Sequence, residues 1–171
     1  MPYARAVAHL RELRRVDQGF VETAPLRYSN SIDLAISPEH LFELFEDAGS
    51  WPRWVSSLTE VVWTSPRPFG PGTTRTVHLR TGIVGDEEFF TWDAPTRIAF
   101  RFNAASTRLV SAFSERYDVE PTPDGCRLTW SVGVDVPGPR RLTALGRPVM
   151  DRVLRGDLRR LRRYTDGLRA K

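Results

Sequence analysis

Two ionisable side chains stand where a strand would bury them. Across 73–80 the alternation puts Val77 and Leu79 on the core side and takes Arg75 with them, leaving Thr74, Thr76, His78 and Arg80 outside. Across 109–120 the same alternation turns Phe113, Tyr117 and Val119 inward and takes Glu115 with them. A charge on a core face must be paired or bound to something. Two readings fit. In one, Arg75 recognises a ligand carboxylate, phosphate or enolate oxygen and Glu115 orients it. In the other, Arg75 and Glu115 form an internal salt bridge that pins neighbouring strands. Both depend on strand phase, because a slip of one residue would put both groups in water.

Aromatic residues supply the rest of the expected interior. Tyr117 and Trp130 read either as hydrogen-bonding pocket walls or as plain core aromatics. Phe100 shares a face with Ile98 and Phe102, Trp130 with Leu128 and Val132, and Phe90 and Trp92 with Glu88. Trp51 and Trp54 follow a helix and fit either a gate or packing. The expected ligand-binding set is therefore Trp54, Arg75, Phe90, Trp92, Phe100, Phe113, Glu115, Tyr117 and Trp130. Val149 and Val153 join it from the last helix.

Other chemistries lack their residues. His9, His40 and His78 fall on separate elements, with no HxxxH or HxH spacing, so no metal is expected. Cys126 is alone, which excludes an intramolecular disulfide and a CxxC zinc site and fits a buried, inert thiol. No GxSxG, P-loop or GxGxxG is present, so hydrolase, NTPase and dinucleotide readings have no support, and no cofactor is expected.

These residues sit in a chain of 171 residues, the size of one domain, 40% hydrophobic and 27% charged. A chain of this length buries about 70% of its extended surface, enough for a core without disulfides or a structural metal. No apolar run approaches a membrane span and no secretory h-region is present, so the expected location is cytoplasmic. The net charge of +4 is unevenly spread. Residues 138–171 hold ten Arg and Lys171 against Asp151, Asp157 and Asp166, while the middle of the chain is acidic. Basic ends suit a solvated helix face, or contact with nucleic acid or an anionic membrane.

The elements that must position the site follow from periodicity and turn chemistry. Tyr3, Val7, Leu10 and Leu13 predict a helix over 3–16, with a linker over 20–27. From 28 the period becomes two, predicting a strand to Ile36. Ser37-Pro38-Glu39 then caps and starts a helix carrying Leu41, Phe42, Leu44 and Phe45, with Trp51-Pro52-Arg53-Trp54 as a tight connection. Strands are predicted near 58–65, 73–81, 87–93, 97–103, 109–120 and 126–135, with a hairpin turn at Asp124-Gly125. Short connections imply antiparallel neighbours. Leu145, Val149, Val153, Leu154, Leu158, Leu161 and Leu168 mark a long last helix, kinked or begun at Gly146-Pro148. The expected fold class is α+β: a seven-stranded antiparallel sheet curved around a long C-terminal helix, with an extra N-terminal helix. The expected organisation is an N-terminal helix and linker over 1–27 and a ligand-binding domain over 28–171.

The run Ile36-Ser37-Pro38-Glu39-His40-Leu41-Phe42-Glu43-Leu44-Phe45-Glu46-Asp47 with Trp51-Pro52-Arg53-Trp54 resembles the opening of the SRPBCC (START-like, helix-grip) superfamily. Gly72-Thr73-Thr74-Arg75, Trp92-Asp93-Ala94-Pro95-Thr96-Arg97, Glu115-Arg116-Tyr117 and Gly125-Cys126-Arg127-Leu128-Thr129-Trp130 agree with it. The resemblance covers roughly 28–168. It implies a helix-grip fold with an internal cavity, but the superfamily hosts transporters, cyclases and chaperone regulators, so it does not fix function. Polyketide cyclases of the superfamily are thought to use an Arg and aromatic residues, which implies such a role for Arg75.

Three readings result. The first is a binder of a hydrophobic small molecule, lipid or polyketide-like, in an internal cavity. The second is a polyketide cyclase or dehydratase using Arg75, Glu115 and Tyr117 as its catalytic candidates. The third is an interaction protein docking through its basic helices. No specific nucleic acid is expected as a partner, because no aromatic residues interleave the Arg run. Weak contact with an anionic membrane is compatible with it.

Overall fold

The computed structural model describes residues 9–139 and 145–169. Its sheet contains seven strands in the order β2-β8-β7-β6-β5-β4-β3, all antiparallel. They are β2 (Leu26–Leu34), β3 (Leu58–Trp63), β4 (Thr74–Leu79), β5 (Val84–Asp93), β6 (Arg97–Ala105), β7 (Ala112–Thr122) and β8 (Gly125–Asp135). A two-residue strand β1 (Arg11–Glu12) adds to β6 beyond the point where β6 and β7 stop pairing, at Arg101 and Ser114. Two helices, α2 (Pro38–Glu46) and α3 (Trp51–Trp54), follow β2, and the C-terminal helix α4 (Arg147–Arg169) closes the fold. The helix-grip arrangement expected from the sequence is what forms.

Local chemistry sets these boundaries. The Ser37 hydroxyl accepts the His40 amide at the start of α2, and Pro38 occupies the first turn, where its missing N–H costs nothing. The β7–β8 hairpin closes at the Thr122–Gly125 pair. Gly125 packs so tightly there that a Cβ would lie 2.1 Å from the Leu34 carbonyl oxygen.

The helix predicted over 3–16 does not form in its described part. Residues 3–8 of that span lie outside the described residues, and from 9 to 19 the chain is extended or irregular. The Leu13 and Val16 side chains are buried, and the Leu13 amide donates to the Asn103 carbonyl of β6. A one-turn helix, α1 (Phe20–Thr23), follows inside the expected linker. This strap lies on the convex side of the sheet, where Val16, Phe20 and Ala24 cluster with Ala112. Gly133 makes room for it: a Cβ there would stand 2.9 Å from the Val21 Cα. In the described part of that span, Leu13 and Val16 are buried against the sheet rather than on one face of a helix.

The concave face carries the main core. Leu154, Leu158 and Leu161 of α4 join it, each burial contributing about 1.5–3 kcal/mol. The helix is tied down twice more by polar contacts. The Ser56 amide donates to Asp157 Oδ1 at 3.1 Å, and Asn30 of β2 donates to Asp151 Oδ1 at 3.1 Å while accepting from Arg155 Nε at 3.0 Å.

Candidate functional site

Register decides which residues meet inside. Arg75 faces Trp63 on β3 and Glu87 on β5, while Glu115 faces Phe100 on β6 and Val132 on β8. Both Arg75 and Glu115 are therefore on the concave face, as the alternation predicted. They do not pair with each other. Arg75 Nε donates to Glu87 Oε2, and both side chains are almost wholly buried. The guanidinium carbon lies 4.1 Å from the Trp51 ring centre, 4.6 Å from Phe100 and 5.0 Å from Phe89. Its Nη1 is buried with no acceptor among the described residues. Burial raises the pKa of Glu87, against the pull of the Arg75 charge and hydrogen bond.

Glu115 has different company. Its Oε2 accepts from the Tyr117 hydroxyl and, at 2.9 Å, from Trp130 Nε1. The residue keeps partial exposure although protein surrounds it. Burial, with the like charge of Glu87, pushes its pKa up to about 7, against hydrogen bonds from Tyr117 and Trp130 and the charge of Arg75. Burial beside this carboxyl also raises Tyr117 well above a normal phenol.

Around Tyr117 the interior is a continuous aromatic stack. Trp130 lies parallel to it at 5.4 Å, and Trp51, Trp54 and Phe45 meet its ring edge-on at 5.7, 6.3 and 5.5 Å. Phe100 stacks at 6.1 Å. Trp51 satisfies its indole N–H on the Phe45 carbonyl, at 2.9 Å. Trp54 does not: its Nε1 is buried without a partner among the described residues. Toward the other end of β7 the packing loosens, and Phe113, Phe102, Val110 and Val136 are only partly buried. Phe113 and Phe102 rest against each other there at 4.8 Å.

Three sequence expectations need correction. Phe90 faces the convex side, where Arg101 lies over its ring at 5.7 Å. The cause is a bulge: β5 slips one residue against β6 between Phe89 and Thr91, so Glu87 and Phe89 face inward on one side of it and Trp92 on the other. Glu87 and Phe89 were missed for the same reason. A hairpin centred on Thr81 places residue 75 opposite 87, and that count would have found the true partner of Arg75. Val149 and Val153 are 68% and 40% exposed and point away from the sheet. Trp54, Trp92, Phe100, Phe113, Tyr117 and Trp130 all belong to, or pack against, the concave core.

Cys126 is buried, and burial, then Glu39 and Asp33, push its thiol up to about 11. Among the described residues no group of three His, Cys, Asp or Glu side chains comes together as a metal site would require.

A curled antiparallel sheet gripping a long C-terminal helix over an aromatic interior is the architecture of a START-like protein. Residues 25–166 match the family described as polyketide cyclase / dehydrase and lipid transport, and the chain belongs to that family. It is 55% identical over 153 residues to an uncharacterized protein of Mycobacterium tuberculosis, spanning 89% of this chain and 92% of that one. Among solved structures it resembles a START superfamily protein from Mycobacterium smegmatis, with a TM-score of 0.61 and 16% identity over 82% of this chain and 94% of that one. It also resembles the di-domain aromatase/cyclase StfQ of the steffimycin biosynthetic pathway, with a TM-score of 0.66 and 11% identity over 85% of this chain and 52% of that one. At these identities the two structures share the fold.

Proposed function

We propose that this protein binds a hydrophobic small molecule, of lipid or polyketide-like character, between the concave face of the sheet and the C-terminal helix. Glu115 meets the ligand's polar group. The observation that carries this reading is the state of Glu115: a carboxyl in an aromatic shell, hydrogen-bonded through Oε2, and still partly exposed beside half-buried Phe113. Apolar walls with a few convergent polar groups are the usual make-up of a small-molecule site. Arg75 acts indirectly in this reading. Its guanidinium is held by Glu87 and covered by rings, so it contributes charge to the interior rather than a direct contact. The family's description, which names both lipid transport and cyclase chemistry, supports a ligand of this class.

The test uses the indole N–H signals of the protein in two-dimensional NMR. Apolar compounds carrying one hydroxyl, carbonyl or carboxyl group are titrated in. The reading expects saturable movement of the Trp130 indole signal, because that N–H shares an oxygen of Glu115 with Tyr117. No movement at any indole across such a series would contradict it.

A second reading, a cyclase or dehydratase, is favoured by the same carboxyl titrating near neutrality. As carboxylate, Glu115 takes a proton from a carbon beside a carbonyl. As acid, it returns that proton to the departing hydroxyl, which leaves as water. Tyr117 holds the carboxyl in place, and Arg75 favours the developing negative charge. Turnover of a β-hydroxy ketone separates the readings: the first expects none from the wild type, and the second expects turnover that Glu115→Gln abolishes.

A further inference from the structure

The outer side of the C-terminal helix carries a stripe of mixed chemistry that packs against no other element among the described residues. Val149, Val153, Gly156, Arg160 and Arg163 follow one another at spacings of four and three, on the side away from buried Leu154, Leu158 and Leu161. Val149 and Val153 are 68% and 40% exposed on this side, and Leu145 (75%), in the turn before the helix, and Met150 (40%), one turn before buried Leu154, add apolar surface beside them. Arg152, Arg159 and Arg163 flank or continue it and are exposed. None of these three forms an ion pair among the described residues, whereas Arg155 is held by Asp151.

We propose that this stripe docks on an anionic lipid bilayer. The four apolar side chains enter the boundary between headgroups and acyl chains, and Arg152, Arg159 and Arg163 meet the lipid phosphates. Charge complementarity selects this occupant. A second copy of the chain would bring the same guanidiniums face to face, where they repel. A nucleic acid would satisfy the arginines but leave the apolar residues in water. An anionic bilayer answers both, and an amphipathic helix with Arg on its polar side lies in such a surface. No described helix is long and apolar enough to cross a membrane, so the contact is with the surface. The same half of the helix lies over β2, where Asn30 donates to Asp151 Oδ1 at 3.1 Å.

The test is flotation of the full chain with vesicles of phosphatidylcholine alone, or with three parts in ten of phosphatidylglycerol. The expected result is binding to the anionic vesicles only, with a residue of binding that survives ~0.5 M salt because apolar side chains are inserted. Val149→Asp with Val153→Asp should lower partitioning at least about tenfold at unchanged melting temperature, since both positions are exposed. Each of Arg152→Gln, Arg159→Gln and Arg163→Gln should lower it about fivefold at low salt. Three outcomes would overturn the proposal: no binding to anionic vesicles at 0.1 M salt, duplex DNA bound equally well by wild type and the double-Asp variant, or a dimer in sedimentation that the double-Asp variant abolishes.

Discussion

Arg75 and Glu87 face each other directly across β4 and β5, and their ion pair is buried beneath the ring of Trp51. Breaking such a pair strands a charge, whereas replacing both members with apolar residues need not. Glu87→Ala is therefore expected to lower unfolding free energy by about 3–5 kcal/mol. The double change Arg75→Met with Glu87→Leu should recover most of that loss. Glu115→Ala leaves the Arg75–Glu87 pair intact and should cost clearly less than Glu87→Ala. Denaturant titrations of the four proteins order them, and a Glu115→Ala loss equal to that of Glu87→Ala would mean that Arg75 leans on both acids.

Glu115 makes stability depend on pH in a defined direction. Its folded pKa is raised to about 7 from an ordinary value of 4.5, so the native state holds its proton more tightly than the unfolded chain does. Stability from this group is full below about pH 4.5, declines as pH rises to about 7, and then levels off. The decline is of order 3 kcal/mol. Glu115→Gln keeps an acceptor for Tyr117 and Trp130 but cannot ionise. Its melting temperature should therefore overtake that of wild type between pH 5 and pH 8, and parallel curves would show that Glu115 titrates normally.

The two neighbouring tryptophans should respond differently to loss of their N–H. Trp51 donates to the Phe45 carbonyl, and Trp54 donates to nothing among the described residues. Trp51→Phe leaves a buried carbonyl unpaired, whereas Trp54→Phe removes an unpaired donor. Trp51→Phe should cost about 1–3 kcal/mol more. Equal losses would place a hydrogen-bond acceptor at Trp54.

The strap on the convex face depends on Gly133. Even a methyl group there meets backbone of the strap, at the Val21 Cα and the Phe20 carbonyl oxygen. Gly133→Ala should destabilise by about 1–3 kcal/mol and loosen the strap backbone, so that trypsin cuts after the exposed arginines at 11, 14 and 15. An unchanged digestion pattern would show that the strap does not rely on this contact.

Much of this was legible in the residues, for physical reasons. Ser37-Pro38-Glu39 specifies a helix start through cap chemistry alone, and the alternation around Arg75 and Glu115 specifies their inward phase. What escaped depends on partners. The bulge at Phe90 is set by how β5 meets β6, so it reversed the phase of Glu87 and Phe89 without a local signal. Leu10 and Leu13 have helical spacing, but the open edge of β6 pairs with Arg11 and Glu12 and accepts the Leu13 amide, partners that an isolated segment lacks. The last helix carries two apolar rows, 149–153 and 154–158–161; the spacing of the second already turns it to the sheet, and only the packed structure shows that the first faces solvent.

The central claim is that the interior around Glu115 and Phe113 holds a hydrophobic small molecule. Native mass spectrometry of the protein purified from its own cells tests it most directly. The account predicts a second species heavier by the mass of one small molecule, lost on extraction with organic solvent. It also predicts that Phe113→Asp, which puts a charge at the loosely packed end of the concave face, removes that species while the protein still melts cooperatively. A single mass equal to that of the bare chain, both from its own cells and after incubation with apolar compounds carrying one polar group, would contradict the claim.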